Sequence, residues 1–281
     1  MIKIKVKMSV TAADIKKLRD MTGAGMMDCK KALTEAEGDF DKAIEELRKK
    51  GQKVSAKRAG NDANEGAVLA MVNDDKNRGI IVKLSSETDF VAKNEEFVAG
   101  LREIAEAALN NFPADRDALM GLSTASGTVT STLEDLLTKF TEKMELSYQR
   151  LEAPTVAEYI HMGNKAGVLV GLTGVGKDVY EAGRDVAMQV AAMKPVAVDQ
   201  DGVDQSIIDK EIEIGMELAR QEGKPENMVE KIAKGKLNKF FKENTLLNQT
   251  FVKNNKQDIA AYLNEVESGL TVTDFEHVTL G

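Results

Sequence analysis

Apolar residues in the first part of the chain recur every three or four positions, the spacing of a helix with one buried face. Thr11-Ala-Ala-Asp14 reads as a capping box that opens a helix through Ile15 and Leu18, and the glycines of Thr22-Gly-Ala-Gly25 end it. Residues 26–36 predict a second helix with Leu33 inward. Gly38-Asp39 breaks that helix and caps a third, whose stripe is Phe40, Ile44 and Leu47 and which Gly51 closes. Residues 52–64 are small and polar, as a linker is. The period then changes. Residues 67–72 and 79–84 are β-like runs joined by turn-rich residues 73–78, which predicts a hairpin. Phe97, Leu101, Ile104, Ala105, Ala108 and Leu109 return to helical spacing, and Pro113 ends that unit.

A second hairpin-like arrangement is predicted from residues 146–151, 156–160 and 167–172, followed by a helix with Val179, Val186, Val190 and Met193 on one stripe. The two units resemble a degenerate repeat, because Gly79-Ile-Ile-Val-Lys-Leu parallels Gly167-Val-Leu-Val-Gly-Leu and each strand leads into a helix ended by proline. From Gly79 to Pro113 is 34 residues, and from Gly167 to Pro195 is 28. The excess is assigned to residues 85–94, and surplus loop on a strand–helix scaffold is where function is usually placed. Ile208, Ile212, Gly215 and Ala219, then a Gly223-Lys-Pro225 turn, then Val229, Ile232 and Leu237 predict an antiparallel helical hairpin. Residues 250–252, 259–263 and 272–278 supply final sheet and helix pieces.

The expected fold class is α+β. Residues 8–54 form an N-terminal three-helix domain, set apart as a separate bundle by a linker at 55–64. Residues 65–144 and 145–281 form two related antiparallel sheet-plus-helix halves, with the hairpin at 203–241 inserted in the second. Met8 is as good a start as Met1.

With 281 residues, 42% hydrophobic and 30% charged, the chain suits about two globular domains. No run approaches the roughly 18 apolar residues of a membrane span, and the opening MIKIKVK has no apolar region of a secretory signal. A single cysteine, Cys29, excludes an internal disulfide and suits the cytoplasm. Two histidines and one cysteine cannot furnish a His/Cys metal cluster, and a metal held by carboxylates would need a loop such as an EF-hand, of which there is no sign; neither metal nor cofactor is expected. Residues 1–60 carry 15 Lys+Arg against 9 Asp+Glu, while the rest carries 23 against 37. So acidic a body argues against a nucleic-acid footprint. The basic N-terminal part either docks on something acidic or merely solvates its own helices.

The most tempting chemical motif is Gly171-Leu-Thr-Gly-Val-Gly-Lys-Asp178, which follows a strand and matches a phosphate-binding loop up to its last position. There Asp178 replaces the hydroxyl that magnesium needs, and no second magnesium ligand is evident, so an NTPase is the weaker alternative. His161 and His277 lack a nucleophile motif, and Cys29 is expected to be a small core residue. An enzyme is not required. The segment Ser85–Asn94 differs, because Phe90 is an aromatic in a polar loop beside Asp89. Either the ring tucks under the following helix, or it enters a partner's pocket.

Residues 18–33 (LRDMTGAGMMDCKKAL) and 87–93 (ETDFVAK), in that order and followed by Gly-Val-Leu-Val at 167–170, closely resemble the two signature segments of the bacterial elongation factor Ts family. The resemblance covers essentially residues 9–279. It implies a non-catalytic nucleotide exchange factor for the GTPase elongation factor Tu; the alternative is a passive scaffold that binds the GTPase without altering nucleotide release. It further implies that the N-terminal helices are a ubiquitin-associated-like domain docking through Met26, Met27 and Lys30, of which one methionine is expected to be partly buried. Thr88, Asp89, Phe90 and Val91 correspond to the segment that disturbs the partner's magnesium site. His161 matches a family contact with one residue of slack. A second Thr-Asp-Phe at 273–275 matches no family site. The extra C-terminal helix of some members is not expected, and the hairpin leaves open a dimer of the complex.

Overall fold

A computed structural model describes residues 10–281; the alternating opening and Met8 lie outside the described residues. The first helix, α1 (Ala12–Thr22), begins at the anticipated box: the Thr11 hydroxyl accepts the Asp14 N–H (3.2 Å) and Asp14 accepts the Thr11 N–H (3.0 Å). Gly23 closes it at φ 66°, in the left-handed region. After α2 (Met26–Glu35) comes α3 (Phe40–Lys57), started by Asp39, whose carboxylate accepts the Lys42 N–H. Leu18, Cys29, Leu33, Ala43 and Leu47 form the small core of these helices. Cys29 is fully buried, and burial pushes its thiol above the ordinary value.

Gly51 does not end α3. The helix runs on to Lys57, so the first part of the expected linker is helical. The reason is packing: α3 lies on a later helix, α7, and Gly51 is the point of close approach. A Cβ there would stand 3.0 Å from the Thr138 nitrogen. Arg48 grips Asp135 with two hydrogen bonds (2.8 and 3.0 Å), and Gln52 donates to Glu134 (2.7 Å).

The strands β1 (Glu65–Val72) and β2 (Arg78–Ser86) pair as neighbours, with Asn73 accepting the Asn77 and Arg78 N–H groups at their turn. Then come α4 (Asp89–Ala92), α5 (Glu95–Asn111), α6 (Arg116–Met120) and α7 (Val129–Phe140). On α5, Phe97, Leu101, Ile104, Ala105 and Ala108 are buried as the spacing predicts. The strand β3 (Glu145–Glu152) joins β1 and β2 in one sheet, order β1-β2-β3. It is therefore not part of the second hairpin, which consists of β4 (Thr155–Ile160) and β5 (Ala166–Leu172), antiparallel from Thr155↔Leu172 to Ile160↔Gly167.

Beyond β5 lie α8 (Lys177–Met193), the helical hairpin of α9 (Gln205–Gln221) and α10 (Glu226–Asn244), the short pair β6 (Thr250–Phe251) and β7 (Asn254–Asp258), α11 (Ile259–Val266) and β8 (Val272–Thr279). The second three-stranded sheet has the order β4-β5-β8. Val179, Val186 and Val190 of α8 are buried, but Met193 is 48% exposed, one turn beyond the packed stripe. In the hairpin, Gly215 meets Ala233 so closely that a Cβ would lie 3.1 Å from the Ala233 Cα. The chain divides into two compact units, residues 1–69, 82–148 and 279–281 in one, and 70–81 with 149–278 in the other.

The repeat is visible in the helices. Both α5 and α8 have 17 residues, and both end on a residue at φ 46°, Phe112 and Lys194, before a proline. Eight residues separate β2 from α5, and four separate β5 from α8. Ser85 and Ser86 belong to β2 and are buried, so the surplus loop is shorter than predicted and half of it is the single turn α4.

Candidate functional site

The turn after β2 is built by carboxylates. Glu142 reaches it from the segment following α7: one oxygen accepts the Glu87 N–H (3.0 Å) and the Thr88 N–H (3.1 Å), and the other accepts the Thr88 hydroxyl (2.7 Å). Glu87 answers in the opposite direction, accepting the Lys143 N–H (2.6 Å). Its second oxygen accepts from Arg58 and Asn61, each at 2.8 Å. The Lys143 ammonium in turn donates to the carbonyls of Ala59 and Asn61 (2.9 and 3.1 Å). The Lys143 N–H, then the Asn61 and Arg58 side chains, hold the Glu87 carboxyl below its ordinary range against the cost of burial.

On this base sits α4. Thr88 is its N-cap and accepts the Val91 N–H (3.4 Å), while Val91 is buried and pins the turn from within. Asp89 accepts a hydrogen bond from Lys93 (2.6 Å), which lowers its carboxyl below the ordinary value. Phe90, the remaining member, is 84% exposed. Its ring does not tuck under α5. The other Thr-Asp-Phe does the reverse: Phe275 of β8 packs against the core of its unit.

Met26 and Met27 open α2 and are 53% and 74% exposed, so neither is partly buried as expected, and Lys30 one turn on is exposed too. Met21, at the end of α1, is a third methionine exposed in this stretch, at 57%. His161 is exposed in the β4–β5 connection; its ring Nδ1 lies 3.2 Å from the Tyr159 hydroxyl, and its N–H donates to the Ala166 carbonyl (2.8 Å).

Residues 171–178 begin inside the sheet, not in a free loop. Gly171 and Leu172 are still paired in β5, opposite Val156 and Thr155. The Thr173 N–H is committed to the Thr271 carbonyl (3.0 Å), and the Gly174 carbonyl accepts from Thr155 (2.8 Å). A phosphate loop needs convergent, uncommitted amides between strand and helix, and the first amide of this four-residue turn, that of Thr173, is already used within the sheet.

The sequence did not point to Glu142, Lys143, Arg58, Asn61 or Met21. The first four are polar residues in a chain rich in charge, and they lie tens of positions from the segment they hold. The only local hint is that Glu142 and Lys143 follow directly on Thr141, the left-handed end of α7 (φ 53°).

The fold and the turn define an α+β chain of two compact units that presents one aromatic residue from a carboxylate-clasped base. A family profile described as Elongation factor TS matches residues 87–281. The chain is 53% identical over 277 residues to an elongation factor Ts of Christiangramia forsetii, covering 97% of this chain and 99% of that protein. It is 54% identical over 276 residues to one of Amoebophilus asiaticus (98% and 100% covered) and 52% identical over 275 residues to one of Cytophaga hutchinsonii (97% and 99%). The chain belongs to the elongation factor Ts family, and so to the translation elongation factors. Among the described residues, no helix is long and apolar enough to cross a membrane.

Proposed function

We propose that this chain is a guanine nucleotide exchange factor for elongation factor Tu, releasing GDP with no covalent step of its own. One observation carries the reading: a phenylalanine ring 84% exposed on a turn whose backbone is fixed by hydrogen bonds to Glu142. An apolar ring held out in water gains free energy by entering a partner's pocket, and a rigid base lets that gain displace the partner's atoms. In this reading Phe90 wedges between elements of the GTPase that hold magnesium and the β-phosphate. Asp89 and Thr88 flank it with polar contacts, and Val91 seats the turn.

Met26, Met27 and Lys30 dock α2 on the GTPase domain, the methionines supplying adaptable apolar surface and the lysine the charge. His161 contacts a further part of the same partner, and the encounter takes place in the cytoplasm. The chain binds no nucleotide of its own, which the Thr173 amide, committed to the Thr271 carbonyl, and the Gly174 carbonyl, committed to Thr155, support.

The physical basis is linkage. A protein that binds the nucleotide-free, magnesium-free GTPase best must weaken GDP and magnesium by the factor with which they weaken its own binding. Calorimetric titration against the GTPase in its nucleotide-free and GDP–magnesium forms tests this. The account expects tighter binding to the nucleotide-free form. Equal affinity would leave a passive scaffold.

A further inference from the structure

We infer that Glu142 is a positioning residue for exchange, acting through the Thr88 hydroxyl on Phe90; the inference rests on the reading of Phe90 as the displacing group. A ring that must move atoms of a partner needs a backing that does not yield. The turn α4 has four residues, too few to hold itself rigid. Its fixed point is Thr88, whose hydroxyl is used twice, donating to Glu142 at 2.7 Å and accepting the Val91 N–H at 3.4 Å. The Glu142 carboxylate thus orients the cap that orders the helical turn carrying Phe90. It also takes two successive backbone N–H groups, those of Glu87 and Thr88, which leaves β2 no freedom to swing where it ends.

The chemistry requires a carboxylate. An ionised glutamate only accepts, so both its oxygens suit three donors, and hydrogen bonds to a charged acceptor are the stronger kind. Glutamine would keep one acceptor oxygen for the two N–H groups but would present an NH2 to the Thr88 hydroxyl. The hydroxyl proton would then lose its carboxylate acceptor, and with it the bond that orients the oxygen toward the Val91 N–H. Glu142 makes no contact with Phe90 itself among its hydrogen bonds, so its influence passes through position alone.

The test uses the full chain with Glu142→Ala, Glu142→Gln, Phe90→Ala and the Phe90→Ala/Glu142→Ala double variant. Saturation curves of stimulated GDP release from elongation factor Tu are read beside amide hydrogen exchange at Glu87, Thr88 and Val91. Glu142→Ala is expected to lower the maximal rate about tenfold with the half-saturating concentration little changed, since α2 is untouched. Glu142→Gln should lose less. Adding Glu142→Ala to Phe90→Ala should cost nothing further, because the two act in series. The three amides should exchange faster in Glu142→Ala while those of α5 keep their protection. Normal amide protection in Glu142→Ala, or an additive double variant, would overturn the inference while leaving the exchange function standing. An unmodified chain that fails to speed GDP release would overturn both, whatever the amides do.

Discussion

Leaving a phenylalanine in water forgoes roughly 2 kcal/mol of burial, and at Phe90 no packing among the described residues recovers it: the ring is 84% exposed while Val91 beside it is buried. Removing the ring should therefore cost function and not stability. Phe90→Ala is expected to slow stimulated GDP release about tenfold or more, because losing an aromatic anchor costs about 2 kcal/mol or more, with a melting temperature within about 2 °C of the unmodified chain. A large fall in melting temperature would make Phe90 a core residue. Beneath the ring, the pH dependence has a definite sign. The Glu87 carboxyl is held below its ordinary value, so the folded state binds its proton less readily than the unfolded chain. Its contribution to stability is complete above the ordinary glutamate pKa of about 4.3 and is lost as pH falls toward the depressed folded value. Glu87→Gln should lower the melting temperature at neutral pH, and the gap between the two proteins should narrow on acidification; a gap that stays constant would contradict the sign.

Among the elements, α3 and α7 show how packing overrides local signals. A glycine after a helical stripe reads as a stop, yet Gly51 continues α3 where α7 crosses it closely, a Cβ there standing 3.0 Å from the Thr138 nitrogen. Gly51→Val should strain this crossing by roughly 1–3 kcal/mol and lower the melting temperature by several degrees, measured by calorimetric scan. An unchanged melting temperature would mean that the helices are not in close contact. The helix α7 itself gave little sign in the sequence. Its segment is rich in threonine and serine, which have low helix propensity, and only the fold satisfies them: Thr128 and Ser131 form a capping box, and the Thr132 and Thr138 hydroxyls donate to the Thr128 and Glu134 carbonyls. By contrast α1, α5 and the α9–α10 hairpin were legible, because apolar periodicity and caps agree with the final packing. The strand β3 was legible as a strand but not in its partner, since pairing with β2 is a long-range choice that local pattern does not encode.

At the scale of the whole molecule, the same limit governs the site. The family signature at residues 87–93 was readable, and so was an aromatic in a polar loop. The clasp was not, because Arg58, Asn61, Glu142 and Lys143 are ordinary charged and polar residues until the fold brings them to Glu87 and Thr88. Those contacts tie the segment after α3 to the base of the Phe90 turn, all within one compact unit that also carries Met26, Met27 and Lys30. If α2 docks and Phe90 displaces, as proposed, their place on one unit lets binding energy at the first be used at the second. Charge fits this arrangement: residues 1–60 carry 15 basic against 9 acidic side chains in a chain of net charge −8, which favours approach to an acidic partner surface.

Whether this chain accelerates nucleotide release is read most simply by stopped-flow release of a fluorescent GDP analogue from elongation factor Tu. The release rate should rise with the concentration of this protein and saturate. A release rate that stays flat across that range, with binding of the two proteins verified in the same solution, would contradict the account.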